Sequence, residues 1–153
     1  MRILGIDPGT GIVGFGVIDA DGMKKTMVDA GVIRTPAHQP AHERLLTIFN
    51  EITEIIAFNK PQVMVVEQLF FAKNVTTAMT VSQARGVILL AGEQAGLRLI
   101  EFTPLQIKQA LTGYGKADKK QVQEMVKLQL KLTEVPKPDD CADALAAALT
   151  YAN

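Results

Sequence analysis

The sequence predicts an α/β protein: a mixed five-stranded sheet, its first three strands antiparallel, flanked by helices. Three observations carry that expectation. Short apolar stretches broken by Gly or Pro open the chain, at Ile3-Leu-Gly-Ile6 and again at Gly14-Phe-Gly-Val-Ile18, and such runs read as buried strands. Asp21-Gly22 is a two-residue hairpin signal between strands. Beyond Ala41 the period changes, with Leu45, Ile48, Phe49, Ile52, Ile55 and Ile56 recurring every three or four residues, the apolar face of a helix.

In order, the first strand ends at Asp7-Pro8-Gly9. That puts a carboxylate at the strand's carboxyl end, where open sheets carry their chemistry, although a plain turn aspartate fits the stretch equally well by itself. Gly9, Gly11, Gly14 and Gly16 leave a backbone bare enough to turn tightly and to let a phosphate approach. The second strand covers Gly14 to Ile18 and the third runs from about Thr26 to Ile33, followed by a loop over 35–40. The helix from Ala41 stops at Lys60-Pro61, and Val63-Met-Val-Val66 is a strand buried on both faces with Glu67 directly after it. A helical crossover makes strands three and four parallel. Strand three is parallel to strand one as well, so strand four runs with strand one. If those two are neighbours, Asp7 and Glu67 lie side by side.

The remaining elements follow the same signals. A helix spans Thr76 to Glu93 with Gly96 as its C-terminal signal, and Leu97 to Phe102 is the fifth strand. Pro104 suits the first turn of a helix, and Gly113-Tyr-Gly115 is a loop. A helix from about Asp118 to Leu132 buries Val122, Met125, Val126 and Leu130. Pro136 and Pro138 interrupt the chain, and a last helix runs from Asp139 or Asp140 to about Ala152. With no interdomain linker, residues 1–153 are expected to form a single domain.

Composition narrows the class. Of 153 residues 48% are apolar and 21% charged, which fits a folded core and argues against disorder. No apolar run approaches the roughly 18 residues of a membrane span, and the N-terminus lacks a signal-peptide pattern. The lone Cys141 has no internal disulfide partner, so a reducing cytoplasm is expected. Sixteen basic residues balance 16 acidic ones, so a nucleic-acid role must rest on charge distribution. Between Pro104 and Leu132, Lys108, Lys116, Lys119, Lys120, Lys127 and Lys131 face only Asp118 and Glu124, a local excess that suits a phosphate track. A solvated helix face explains Lys127 and Lys131 as well.

The final helix opens Pro138-Asp-Asp-Cys-Ala-Asp143. Asp140 and Asp143 are three apart and share a helix face, while an aspartate after the proline is an ordinary N-cap, a role that Asp139 or Asp140 could fill. Asp143 lies within an alanine-rich helix expected to pack closely, where a carboxylate needs a counter-charge, water or metal. Asp7, Glu67, Asp140 and Asp143 thus make a candidate cluster. Hard carboxylate oxygens suit Mg²⁺ or Mn²⁺, and two such ions serve in-line phosphoryl displacement.

Gly5-Ile-Asp-Pro-Gly-Thr-Gly11, Val66-Glu-Gln-Leu-Phe-Phe-Ala-Lys-Asn74, Gln83-Ala-Arg-Gly86, Thr112-Gly-Tyr-Gly-Lys-Ala-Asp-Lys119 and Asp140-Cys-Ala-Asp-Ala-Leu145 together resemble, in order and from end to end, the RuvC family of Holliday junction resolvases. The resemblance implies a ribonuclease H-like fold and a homodimer that nicks two opposed strands of a four-way DNA junction in recombination and repair. It implies Mg²⁺ dependence, with Mn²⁺ as the expected substitute. Catalytic and metal-holding roles fall on Asp7, Glu67, Asp140 and Asp143. DNA contacts are implied at Lys108 and Lys119, to which the neighbouring Lys116 is added, and at Phe70, while Phe71 matches a merely apolar position. The RuvA–RuvB branch-migration complex is the implied protein partner. Cys141 takes the place of a small residue between the last two acids. Val75, Ala78, Met79, Val81, Val87 and Leu90 give the helix after Asn74 more apolar surface than a small core needs, which suits a dimer interface.

Two other readings compete. An actin-like ATPase also carries an Asp-x-Gly-Thr turn after a strand but needs a second such domain and a second phosphate loop. A junction-binding module would not need all four acids. Gly113-Tyr-Gly-Lys116 lacks the Walker frame, and Pro40 between His38 and His42 argues against a shared helix, leaving both as surface residues.

Overall fold

A computed structural model describes residues 1–68 and 75–153. The elements are β1 (Arg2–Asp7), β2 (Ile12–Asp21), β3 (Lys24–Arg34), α1 (Ala41–Asn59), β4 (Val63–Glu67), α2 (Val75–Gln94), β5 (Arg98–Phe102), α3 (Pro104–Thr112), α4 (Lys119–Gln129) and α5 (Asp139–Ala152). The sheet order is β3-β2-β1-β4-β5. β1–β2 and β2–β3 are antiparallel, while β1–β4 and β4–β5 are parallel. This is the mixed, ribonuclease H-like sheet that the sequence implies.

Alternation along the strands sorts the core into two layers. Ile3, Val63 and Val65 pack with α3, α4 and α5, whereas Leu4, Ile6, Met64 and Val66 pack with α1 and α2. Asp7 and Glu67 continue the first series, so both carboxylates project on the α5 side. Gly5↔Val65 and Ile6↔Val66 are paired, and one further step of that register sets Asp7 beside Glu67.

The glycines of β1 and β2 have a different purpose from the one expected. Gly14 and Gly16 lie within β2, beneath α5. A Cβ on Gly14 would stand 2.1 Å from the Asp140 carbonyl oxygen, and one on Gly5 would stand 2.0 Å from that of Ala144. Bare backbone here lets the helix lie directly on the sheet, which brings Asp140 down to Asp7. Gly9 and Gly11 do lie in the turn between β1 and β2, where a Cβ on Gly9 would stand 2.2 Å from the Ile12 carbonyl oxygen.

Other departures are local. Asp21 pairs with Lys24, so the hairpin loop is Gly22-Met23, with Gly22 at φ +60°, the first central position of a type II′ turn. α4 ends at Gln129, and Lys131 turns left-handed at φ 54°, short of the expected Leu132. The N-cap of α5 is Pro138 and makes no side-chain cap hydrogen bond, which removes the capping role considered for Asp139 and Asp140.

Candidate active site

Asp7 closes β1, Glu67 closes β4, and Asp140 and Asp143 occupy the first two turns of α5. Asp7 is buried, and its carboxyl lies close enough to those of Asp140 and Glu67 for both to shift its titration. Burial, then the charges of Glu67, Asp143 and Asp140, push its pKa up to about 9. Glu67 rises to about 7, first through burial and then through Asp143, against the opposing influence of Asp7, Lys119 and Lys108. Burial raises Asp143 too, opposed by Lys119. The structure therefore gathers all four acids named from the sequence at one end of the central strands.

Lys119 is the cluster's resident cation. Its Nζ stands 3.3 Å from Asp139 Oδ2 and 3.4 Å from Asp143 Oδ2, and Gln123 Nε2 donates to Asp139 Oδ1 at 3.3 Å. Burial lowers the Lys119 pKa, but Asp143 and Asp139 outweigh it and the net shift is upward. These side-chain bonds replace the cap expected at Asp139. They join residues 20 and more positions apart for Lys119 and 16 apart for Gln123, and no local sequence signal announces them.

Lys108 and Lys119 line a cleft of about 250 Å³ together with Glu67, Asp143 and the apolar Ile107 and Val122. Lys116 does not line that cleft and lies exposed in the α3–α4 connection. Phe70 and Phe71 fall outside the described residues. His38 and His42 are exposed, as expected of surface residues, and Cys141 is buried, its thiol pushed up by burial and then by Asp140. Arg85, in the Gln83–Gly86 motif, is paired with Glu101 and so ties α2 to β5.

The donor set fits hard divalent cations, because four carboxylates that repel one another as anions would be stabilised together by added positive charge. Asp143 is engaged by Lys119, and among the described residues no three acidic, His or Cys side chains are already drawn together as closely as metal ligands.

The raised carboxyl pKa values have a consequence for stability. The fold binds protons at Asp7 and Glu67 more tightly than the unfolded chain does, so without metal the folded state gains protons and stability falls as pH rises from about 4 to about 9. In EDTA, Asp7→Asn should therefore melt above the wild type at alkaline pH, by roughly 2–4 °C for each kcal/mol of repulsion relieved. The gain should vanish toward about pH 4. Equal melting curves for the two proteins across this range would contradict the burial and repulsion assigned to Asp7.

The comparisons with known proteins bear on the family and the fold. The family model described as crossover junction endodeoxyribonuclease RuvC matches residues 3–151. Proteins of that name from Brevibacillus brevis and Desulfitobacterium hafniense are 59% and 55% identical, over 99% and 100% of this chain and 92% and 93% of theirs. The Thermus thermophilus RuvC structure superposes with a TM-score of 0.93 at 38% identity, covering 99% of this chain and 93% of that one. The same protein in complex with Holliday junction substrate gives 0.91 at 36% identity, with the same coverage. An end-to-end match at this identity, on the same fold, shows that the chain belongs to the RuvC family.

Proposed function

We propose that Asp7, Glu67, Asp140 and Asp143 form the nuclease centre with which this RuvC-family chain resolves Holliday junctions, as a crossover junction endodeoxyribonuclease acting through one nuclease domain over residues 1–153. The observation that carries the reading is the convergence of the four carboxylates from two adjacent strand ends and one helix. They hold divalent cations, Mg²⁺ by preference with Mn²⁺ able to substitute, two per site. Bound there, the cations supply Lewis acidity that lowers the pKa of water and offsets charge on the phosphodiester. The chain's own residues fix the reacting strand. Lys108 and Lys119 take phosphates beside the cleft, Lys116 takes one farther out, and Phe70 stacks on a base. Lys119 also keeps Asp143 and Asp139 partly neutralised. Loss of any one lysine should flatten the salt dependence of junction binding, and an unchanged slope would remove that residue from the list.

A labelled four-way junction tests the function. With Mg²⁺ the protein should nick two opposed strands, and with EDTA it should bind without cutting. A need for nucleotide would favour the ATPase reading, and binding that never leads to cleavage would favour a junction-binding module.

Two opposed cuts from one site per chain call for a two-fold dimer. Val75, Met79 and Leu90 are exposed on α2, and a Cβ on Gly86 of the same helix would meet nothing within 4 Å. Together they offer an apolar face that a second copy could cover. Met79→Glu with Leu90→Glu should convert a dimer to monomers of 16.6 kDa in sedimentation. A wild type that sediments as a fully active monomer would refute the dimer. The RuvA–RuvB complex is the proposed partner of that assembly, testable by co-sedimentation on junction DNA. No helix among the described residues is long and apolar enough to cross a membrane. A cytoplasmic location accords with a DNA substrate and a free thiol, and cell fractionation tests it.

A further inference from the structure

The lysines identified so far lie on one flank of the acids, toward α3 and α4. The other flank, toward β2 and β3, carries a guanidinium held in a fixed pose. Arg44 Nε, in the first turn of α1, donates to Thr35 Oγ1 at 2.9 Å. Thr35 in turn donates through its hydroxyl to the Thr10 carbonyl at 2.6 Å and through its amide to the Gly11 carbonyl at 3.0 Å. The guanidinium thus rests on the loop that leaves Asp7, with Nη2 3.2 Å from where a Gly11 Cβ would sit. Among the described residues Arg44 makes no ion pair and its Nη atoms have no hydrogen-bond acceptor, and Arg34, exposed at the end of β3, is also unpaired.

Strand directions place this group at the same end of the sheet as the acids. Asp7 ends β1, Ile12 begins β2 opposite Arg34, and α1 starts from that end. We infer that Arg44, with Arg34 beside it, contacts phosphates of the junction strand on the side of the acid cluster opposite Lys108 and Lys119. A polyanion laid over four carboxylates is repelled unless cations bracket it, and the lysines bracket one side only. An arginine anchored through Nε keeps both terminal nitrogens for an anion, and the planar fork matches phosphate. A side chain at residue 11 would crowd Nη2, and the glycine there leaves the guanidinium its place beside the loop.

The inference rests on junction binding, so wild-type binding to a labelled four-way junction in EDTA is the reference, measured between about 50 and 200 mM salt. Arg44→Gln should lower affinity about tenfold at the low-salt end, the size of one charge-assisted hydrogen bond. It should also reduce the slope of log K against log salt by about 0.9, and by about twice that where both subunits of a dimer engage one junction. Lys108→Gln should give a comparable change of slope. Arg98→Gln, at the opposite end of the sheet, should give none. Arg44→Lys and Thr35→Val keep the charge and should keep the slope, which separates phosphate contact from mere support of the loop. A wild-type slope in Arg44→Gln overturns the inference, whatever happens to cleavage. If Arg44→Gln fails to fold, a slope lost in Arg44→Lys or Thr35→Val overturns it instead. A wild type that does not bind junctions at all would count against the proposed function, which is a different outcome.

Discussion

Gly5→Ala should lower the melting temperature by roughly 6 °C or more, and Gly14→Ala should abolish most cleavage while destabilising the fold by a similar amount. The added methyl on residue 5 meets the Ala144 carbonyl oxygen at 2.0 Å and the Ala148 amide at 2.9 Å, and that on residue 14 meets the Asp140 carbonyl oxygen at 2.1 Å. These are backbone atoms of α5, so no rotamer change relieves the overlap and the helix must lift by more than an ångström. Overpacking a well-filled core costs about 1–3 kcal/mol and sometimes more, and each kcal/mol lowers melting by roughly 2–4 °C at this chain length. The two sites separate stability from catalysis. Gly5 lies under the middle of α5, so its damage is mainly to packing. Gly14 lies under Asp140, so the same overlap also moves a carboxylate away from Asp7. Thermal melts beside junction-cleavage rates for both variants check this, and wild-type melting of Gly5→Ala would show that α5 does not need the bare backbone.

How far the sequence revealed this arrangement depends on the range of the interactions involved. The strand ends at Asp7 and Glu67 are readable because alternation and apolar runs are local patterns, and the common direction of β1 and β4 follows from a helical crossover, whereas their adjacency is seen only in the fold. The three-residue spacing of Asp140 and Asp143 fixed their common face. Gly14 and Gly16 resemble turn or phosphate-loop glycines because sequence shows that a side chain is missing but not what occupies its place; the occupant is α5, from the far end of the chain. Asp139 followed a proline and so resembled a cap. In the fold Pro138 itself holds that position, and Lys119 and Gln123 draw the Asp139 side chain away. The clamp from Arg44 through Thr35 to the loop after Asp7 joins three segments and carries no motif. Lys116 shared the composition of the lysine-rich stretch but sits outside the cleft, since a count of charges does not say which way each one faces.

The acid cluster is the centre of the proposed function, and replacing each carboxylate by its amide tests it most directly. Asp7→Asn, Glu67→Gln, Asp140→Asn and Asp143→Asn remove the charge while keeping shape, so the fold and the lysine contacts should survive. Affinity for a four-way junction in EDTA should stay near wild type or rise slightly, because phosphate contacts dominate binding and one repulsive carboxylate is gone. Cleavage should fall in each by more than the roughly 10–100-fold typical of residues that only orient metal ligands. Asp139→Asn, whose partners are Lys119 and Gln123, should lose no more than that smaller range. The decisive measurement is single-turnover cleavage of one labelled junction by these five variants in Mg²⁺, with binding measured in parallel. If the four acids form the nuclease centre, four proteins bind and do not cut beside one that does both. Near-normal cutting by any of the four, or an inactive Asp139→Asn beside an active Asp140→Asn, would contradict it.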